Sequence, residues 1–278
     1  MKIKYNFHTR FNIASFFSIF LITGSILFII LKGLNLGIDF KGGTLIELRV
    51  ESKLVNTSDV RSSFQNMDLG DINVKKFGTK NDYLVKFEKK TFDENQTIKI
   101  IKNTIKNRLG TDINFRRVEN VGPKVSKELL ESGILAIILS LGAMLFYIWI
   151  RFEWQFSIGS IIAIFHDVFI TIGIFSLLSL EVNLSIVAAV LTIVGYSLND
   201  TVVIYDRIRE NLRKYSKNKI LEILNISINE TLSRTIITSG TTLLALLSIF
   251  ILGGEILRGF AFAMIIGVII GTYSSIFV

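Results

Sequence analysis

The sequence of 278 residues contains no cysteine, which excludes disulfides and thiolate metal sites. It has two histidines, His8 and His166, too few for a histidine-rich metal cluster. It has a single proline, Pro123. No G-x-x-x-x-G-K-[S/T] occurs, so there is no P-loop and no sign of ATP hydrolysis. A serine nucleophile has no credible base beside it. The pair of facing motifs that an intramembrane aspartyl protease requires is missing, because Tyr205-Asp206 has no counterpart. Charge is scarce as well, at 19% of residues.

Half of the residues are hydrophobic and the mean hydropathy is +0.52. The scarce charge is also concentrated. Residues 32–130 hold 19 of the 31 basic and 13 of the 23 acidic residues, which is a net +6 of the formal +8. A basic soluble protein would point to nucleic acid, but the apolar runs decide the class and no nucleic-acid partner is expected. About 20 apolar residues cross roughly 30 Å of hydrocarbon. Six segments qualify: residues 11–31, 133–150, 156–180, 184–205, 235–252 and 259–278. The basic start of the chain resembles the flank of a signal peptide. The run behind it is too long for one and no A-x-A-like site follows, so it reads as a retained span.

Lysine and arginine set the orientation. Lys2, Lys4 and Arg10 flank the first span, Arg151 follows the second, and Arg207, Arg209, Arg213, Lys214, Lys217 and Lys219 follow the fourth. The opposite short loops carry only Glu181 in one and Glu255 with Arg258 in the other. Both termini are therefore expected in the cytoplasm, which places residues 32–130 outside it and assigns residues 131–278 to spans two to six. Within the outer segment, periodicity predicts strands at 45–50, 72–77, 83–88 and 114–119 and helices at 55–67 and 94–109, with a turn at 78–82. The order β-α-β-β-α-β is that of a ferredoxin-like α+β domain. Residues 218–232 place Ile220, Ile223, Leu224, Ile228 and Leu232 on one face. They read either as a helix lying in the membrane interface or as an extension of the fourth span.

Ionisable groups inside spans are costly and default to a functional hypothesis. His166 and Asp167 fall mid-way along the third span as an intramembrane polar pair. Asp200, beside Asn199, falls on the order of 10 Å inward from Arg207 at the α-helical rise. The fifth span opens with Arg234 and the hydroxyls of Thr235, Thr238, Ser239, Thr241 and Thr242. A carboxylate, a guanidinium and hydroxyls at one depth are the parts of a proton-binding site, since desolvation and a neighbouring cation pull a carboxyl in opposite directions. A buried Asp200–Arg234 pair that fixes helix register is the other reading. Asp206 reads as a solvated helix-end charge. Gly259, Ala263, Gly267, Gly271 and Ser275 recur every four residues in the last span. They mark a face for close approach by the fourth span or by another chain.

Six stretches in order resemble the SecF family of bacterial protein-export membrane proteins, members of the RND superfamily. They are Gly37–Thr44, Val121-Gly122-Pro123-Lys124-Val125, Phe165-His166-Asp167, residues 195–211, residues 233–239 and residues 271–275. The resemblance implies a non-enzymatic subunit, without cofactor or metal. With a SecD partner it would use the proton motive force to promote late steps of export across the bacterial inner membrane. It implies that Asp200 is the intramembrane aspartate of the fourth span and Arg234 the arginine that works with it; with Asn199, Thr238 and Ser239, placed beside them by depth, these form the expected proton relay, and Gly122-Pro123 reads as a hinge ahead of the second span. The partners it implies are SecD, the SecYEG translocon with YajC, the unfolded exported chain and membrane lipid. It also leads one to expect a short basic tail beyond Val278. An RND-type half-transporter for a small lipid or drug is an alternative, although about a hundred outer residues leave little room for a substrate pocket. A structural translocon assembly factor is the other.

Overall fold

The computed structural model describes residues 5–278 apart from 52–54, 66, 68, 71, 78–80, 89–93, 153 and 216–217. The turn residues 78–80 and the flanking lysines Lys2, Lys4 and Lys217 lie outside the described residues. The chain divides into two compact units, residues 36–134 and residues 1–35 with 135–278.

In the smaller unit, strand β1 (Gly43–Val50), helix α2 (Thr57–Gln65), β2 (Ile72–Phe77), β3 (Asp82–Phe87), helix α3 (Glu94–Leu109) and β4 (Ile113–Val121) follow the expected order. The sheet runs β2-β3-β1-β4 with every pairing antiparallel, which is the ferredoxin-like topology. Alternation explains the strands: Ile46, Leu48 and Val50 are buried while Glu47 and Arg49 between them are half-exposed. Those side chains close a core with Val60 and Phe64 of α2, Val74, Tyr83, Val85, Phe87, Ile101 and Ile105 of α3, and Ile113. The register of β1 on β4 slips by one residue after Glu47, so that Arg116 is bulged out between Phe115 and Arg117. Glycine is required where β1 begins. Gly43 has φ +128°, and a Cβ there would fall 2.7 Å from the carbonyl oxygen of Phe87.

The larger unit holds α1 (Phe11–Lys32), the later part of α4 (Pro123–Arg151), α5 (Trp154–Leu177), α6 (Leu184–Lys214), α7 (Ile220–Leu252) and α8 (Gly254–Phe277). All six are long and apolar enough to cross a membrane. Pro123 stands at the first position of α4, where its missing N–H costs nothing. Gly122 alone separates that helix from β4. Asn183 caps α6, its side chain accepting from Ile186 N.

The expected separate helix at 218–232 is not found. Residues 220–252 form one continuous helix, so the amphipathic stretch extends the fifth span, neither lying apart in the interface nor prolonging the fourth. The reason is packing. Ile223 and Ile228 are buried, and Ile228 joins Ile204 and Ile208 of α6, while no glycine or proline interrupts residues 220–239.

The centre of this unit is α6 against α8, its most extensive helix pair. The small residues of α8 allow that approach. A Cβ at Gly267 would lie 2.3 Å from Ile193, one at Gly271 3.2 Å from Ser197, and one at Gly259 3.6 Å from Ile186, while Ala263 is fully buried. The partner of the four-residue repeat is therefore the fourth span. Ser275 bonds the carbonyl of Thr272 in its own helix. A second close approach brings α1 onto α5, where a Cβ on Gly173 would overlap Ser25 at 2.3 Å.

Candidate functional site

Asp200 lies in the middle of α6 and is 2% exposed. Its Oδ2 has no hydrogen-bond partner. Two groups of α7 act on this carboxyl: the Ser239 hydroxyl, within hydrogen-bonding reach, and the Arg234 guanidinium, through its charge. Among the described residues no salt bridge joins Arg234 to Asp200, and the Arg234 side chain is exposed. The two charges therefore attract without being locked together.

Hydroxyls extend the site along the seam of α6, α7 and α8. Ser239 Oγ lies 2.7 Å from Thr272 Oγ1, and Thr272 Oγ1 donates to the carbonyl of Val268 at 2.7 Å. Tyr196 donates to Thr242 Oγ1 at 3.3 Å. Thr235 Oγ1 is buried without a partner. Thr238 is half-buried, and its hydroxyl is bonded to the carbonyls of Arg234 and Thr235 in its own helix. Asn199 falls on the exposed side of α6, away from Asp200, because adjacent helix positions do not share a face. Asp200, Arg234 and Ser239 are thus brought together, and Asn199 is not.

A second polar cluster forms on α5. His166 and Asp167 are 1% and 0% exposed. His166 Nδ1 lies 2.8 Å from Asp167 Oδ1, so the adjacent residues do form a pair. Asp167 Oδ2 accepts from Ser197 of α6 at 2.5 Å and from Ser274 of α8 at 2.8 Å. The His166 ring stacks on Tyr273, with centroids 6.0 Å apart. The Tyr273 hydroxyl donates to the Ala14 carbonyl at 2.7 Å and lies 2.9 Å from Ser18 Oγ of α1. Ser197, Ser274 and Tyr273 were not singled out by sequence. Their one signal was their place inside the stretches 195–211 and 271–275.

At the basic end of α6, Arg207 Nε lies 2.5 Å from Glu230 of α7, which also accepts from Asn211 at 2.8 Å. Asn211 donates to Ser227 at 3.0 Å. Asp206, expected to be a merely solvated charge, makes an exposed ion pair with Arg151 at 3.1 Å. Among the described residues no group of three or more His, Asp or Glu side chains is placed to hold a metal.

Residues 101–278 match the family described as protein export membrane protein SecD/SecF, C-terminal, and residues 27–53 match the SecD/SecF GG motif. The chain is 45% identical to a protein translocase subunit SecF from Rickettsia bellii over all 278 residues, covering 91% of that protein. It is 46% identical to the Vibrio alginolyticus subunit of the same name over 267 residues, covering 84% of it. A crystal structure of SecDF, a translocon-associated membrane protein from Thermus thermophilus, superposes with a TM-score of 0.89 at 36% identity. That match covers 100% of this chain and 38% of the solved one, so the chain spans well under half of it.

Proposed function

The chain belongs to the SecD/SecF family of protein-export membrane proteins, as a SecF translocase subunit with an accessory role in Sec export, and we propose that it couples proton movement to that export through Asp200. It is a multi-pass membrane protein with SecD as its partner. The observation that carries the proton reading is a carboxyl 2% exposed within a span, with one oxygen unpartnered and a cation acting on it without a fixed ion pair. A proton crossing 100 mV releases about 2.3 kcal/mol, so several are needed for any sizeable mechanical step.

In this reading Asp200 loads and releases the proton, Arg234 favours its charged form, and Ser239 with Thr272 passes or orients the proton. Thr238, its hydroxyl tied to the Arg234 and Thr235 carbonyls of its own helix, and Asn199, on the exposed side of α6, flank this path. Gly122 and Pro123, between a strand and a rigid helix, serve as the hinge. The protein sits in the inner membrane with both termini in the cytoplasm and residues 32–130 on the far side. There they hold an exported chain delivered by the SecYEG translocon, with YajC as an accessory. The subunit does mechanical work and catalyses no covalent step.

The test uses membrane vesicles holding this chain, a SecD partner and the translocon. A secretory protein is stalled partway across, ATP is exhausted, and a proton gradient is imposed. Wild type completes the transfer, while Asp200→Asn stalls with its complex assembled in normal yield. Equal completion by both removes Asp200 from the mechanism. Loss of assembly in Asp200→Asn would instead mark the Asp200–Arg234 pair as structural.

A further inference from the structure

The cluster on α5 has a donor shortage and an acceptor surplus that its hydrogen bonds do not resolve. Asp167 uses both oxygens: Oδ1 toward His166 Nδ1, Oδ2 toward the hydroxyls of Ser197 and Ser274. If His166 Nδ1 donates, as that arrangement requires, Nε2 carries a bare lone pair. That nitrogen is buried and has no partner. Among the described contacts no lysine or arginine reaches the pair, so in this state it carries one net negative charge at a buried site. Low-dielectric surroundings penalise the charged form of a buried group. One added proton, on Nε2 or on the carboxyl, gives the pair zero net charge.

From this geometry we infer that His166 and Asp167 together form a second proton-binding site of the chain. The occupant is a single proton, held by an imidazole–carboxylate pair rather than by a carboxylate beside arginine. The site shares helix α6 with Asp200. Ser197, which donates to Asp167, stands three residues before Asp200 on α6, about one helical turn away. The titratable groups that face the pair from other helices are Tyr273 of α8 and, one turn along α6, Asp200. From α1 the Tyr273 hydroxyl meets Ser18 and a backbone carbonyl, and the α7 cation Arg234 acts on Asp200. The use of this site in transport rests on the reading of Asp200 given above; its chemistry does not.

His8→Gln leaves His166 as the one histidine of the chain, so its nitrogens can be followed by NMR without ambiguity. The full chain, labelled with isotopic histidine, is reconstituted in lipid nanodiscs and titrated from about pH 9 to pH 5, the range histidine pairs report on. The Asp167 carboxyl stretch is read in parallel by infrared difference spectroscopy. The expected result is one protonation step on the pair, seen at Nε2 or at the carboxyl. Ser197→Ala and Ser274→Ala each remove a donor that favours the charged carboxylate. Each should therefore raise proton affinity and move the step to higher pH, by roughly tenfold in proton concentration. Neither atom changing over the range would make the cluster a fixed three-helix latch and overturn the proposal, as would serine variants with an unmoved step. Export is not required for this readout. An Asp200→Asn variant that still exports would leave it standing.

Discussion

Gly43 carries two constraints at one residue. Its φ of +128° is a conformation that residues with a side chain rarely adopt, and its missing Cβ leaves the Phe87 carbonyl room to approach. Gly43→Ala should destabilise the outer unit by about 2–4 kcal/mol, backbone strain and overlap adding. Gly33, also at positive φ but with open space around it, carries backbone strain without overlap, and alanine there should cost about 1–3 kcal/mol. Amide exchange, read in β1 for the first variant and in the last turn of α1 for the second, separates strain with overlap from strain alone. Near-equal losses would refute the role of the Phe87 contact. At this scale Asp200, Arg234 and Ser239 were legible because charge and hydroxyls inside an apolar run are conspicuous. Ser197 and Ser274 were not. Serine is ordinary in a membrane helix, and only the pairing of α5 with α6 and α8 brings both hydroxyls to Asp167. Asn199, adjacent to Asp200 in sequence, stands a turn of about 100° away from it on the helix and falls on the exposed side.

Among the elements, the outer strands and helices were legible because a half-buried sheet alternates and an amphipathic helix repeats. The sheet order β2-β3-β1-β4 followed from the order of the elements. The helix ends inside the larger unit were less legible. Apolar content marks where a helix is in lipid, not where it begins, and α6 and α7 continue as polar helices to Lys214 and from Ile220. What holds those polar turns together is Glu230, bonded to Arg207 and Asn211 of α6 and only 7% exposed at its side chain. Hydrogen bonds to a charged group are worth about 1.5–3 kcal/mol each. Glu230→Ala should therefore raise amide exchange in residues 220–232 by about tenfold or more, leaving 240–252 unchanged. Protection that is the same in both segments would show that apolar packing of Ile223 and Ile228 suffices.

For the whole molecule, the least finished surface is that of the membrane unit. Helices α1, α4 and α7 bury little of their apolar length, which suits lipid. Arg234 does not suit it. It is exposed where the spanning part of α7 begins, beside a carboxyl to which no salt bridge ties it. A charge facing hydrocarbon is costly, up to the roughly 2.5–3.5 kcal/mol it reaches at the centre of a span. A subunit built this way is comfortable only in company. The consequence lies in how long a lone copy survives: made without SecD, it should be cleared from the membrane faster than in the assembled complex, and Arg234→Leu should lengthen the life of the lone copy while abolishing transport. A pulse-chase in cells lacking SecD measures it. The guanidinium proposed to act on the proton would then also set the census of subunits, since only copies that find a partner persist.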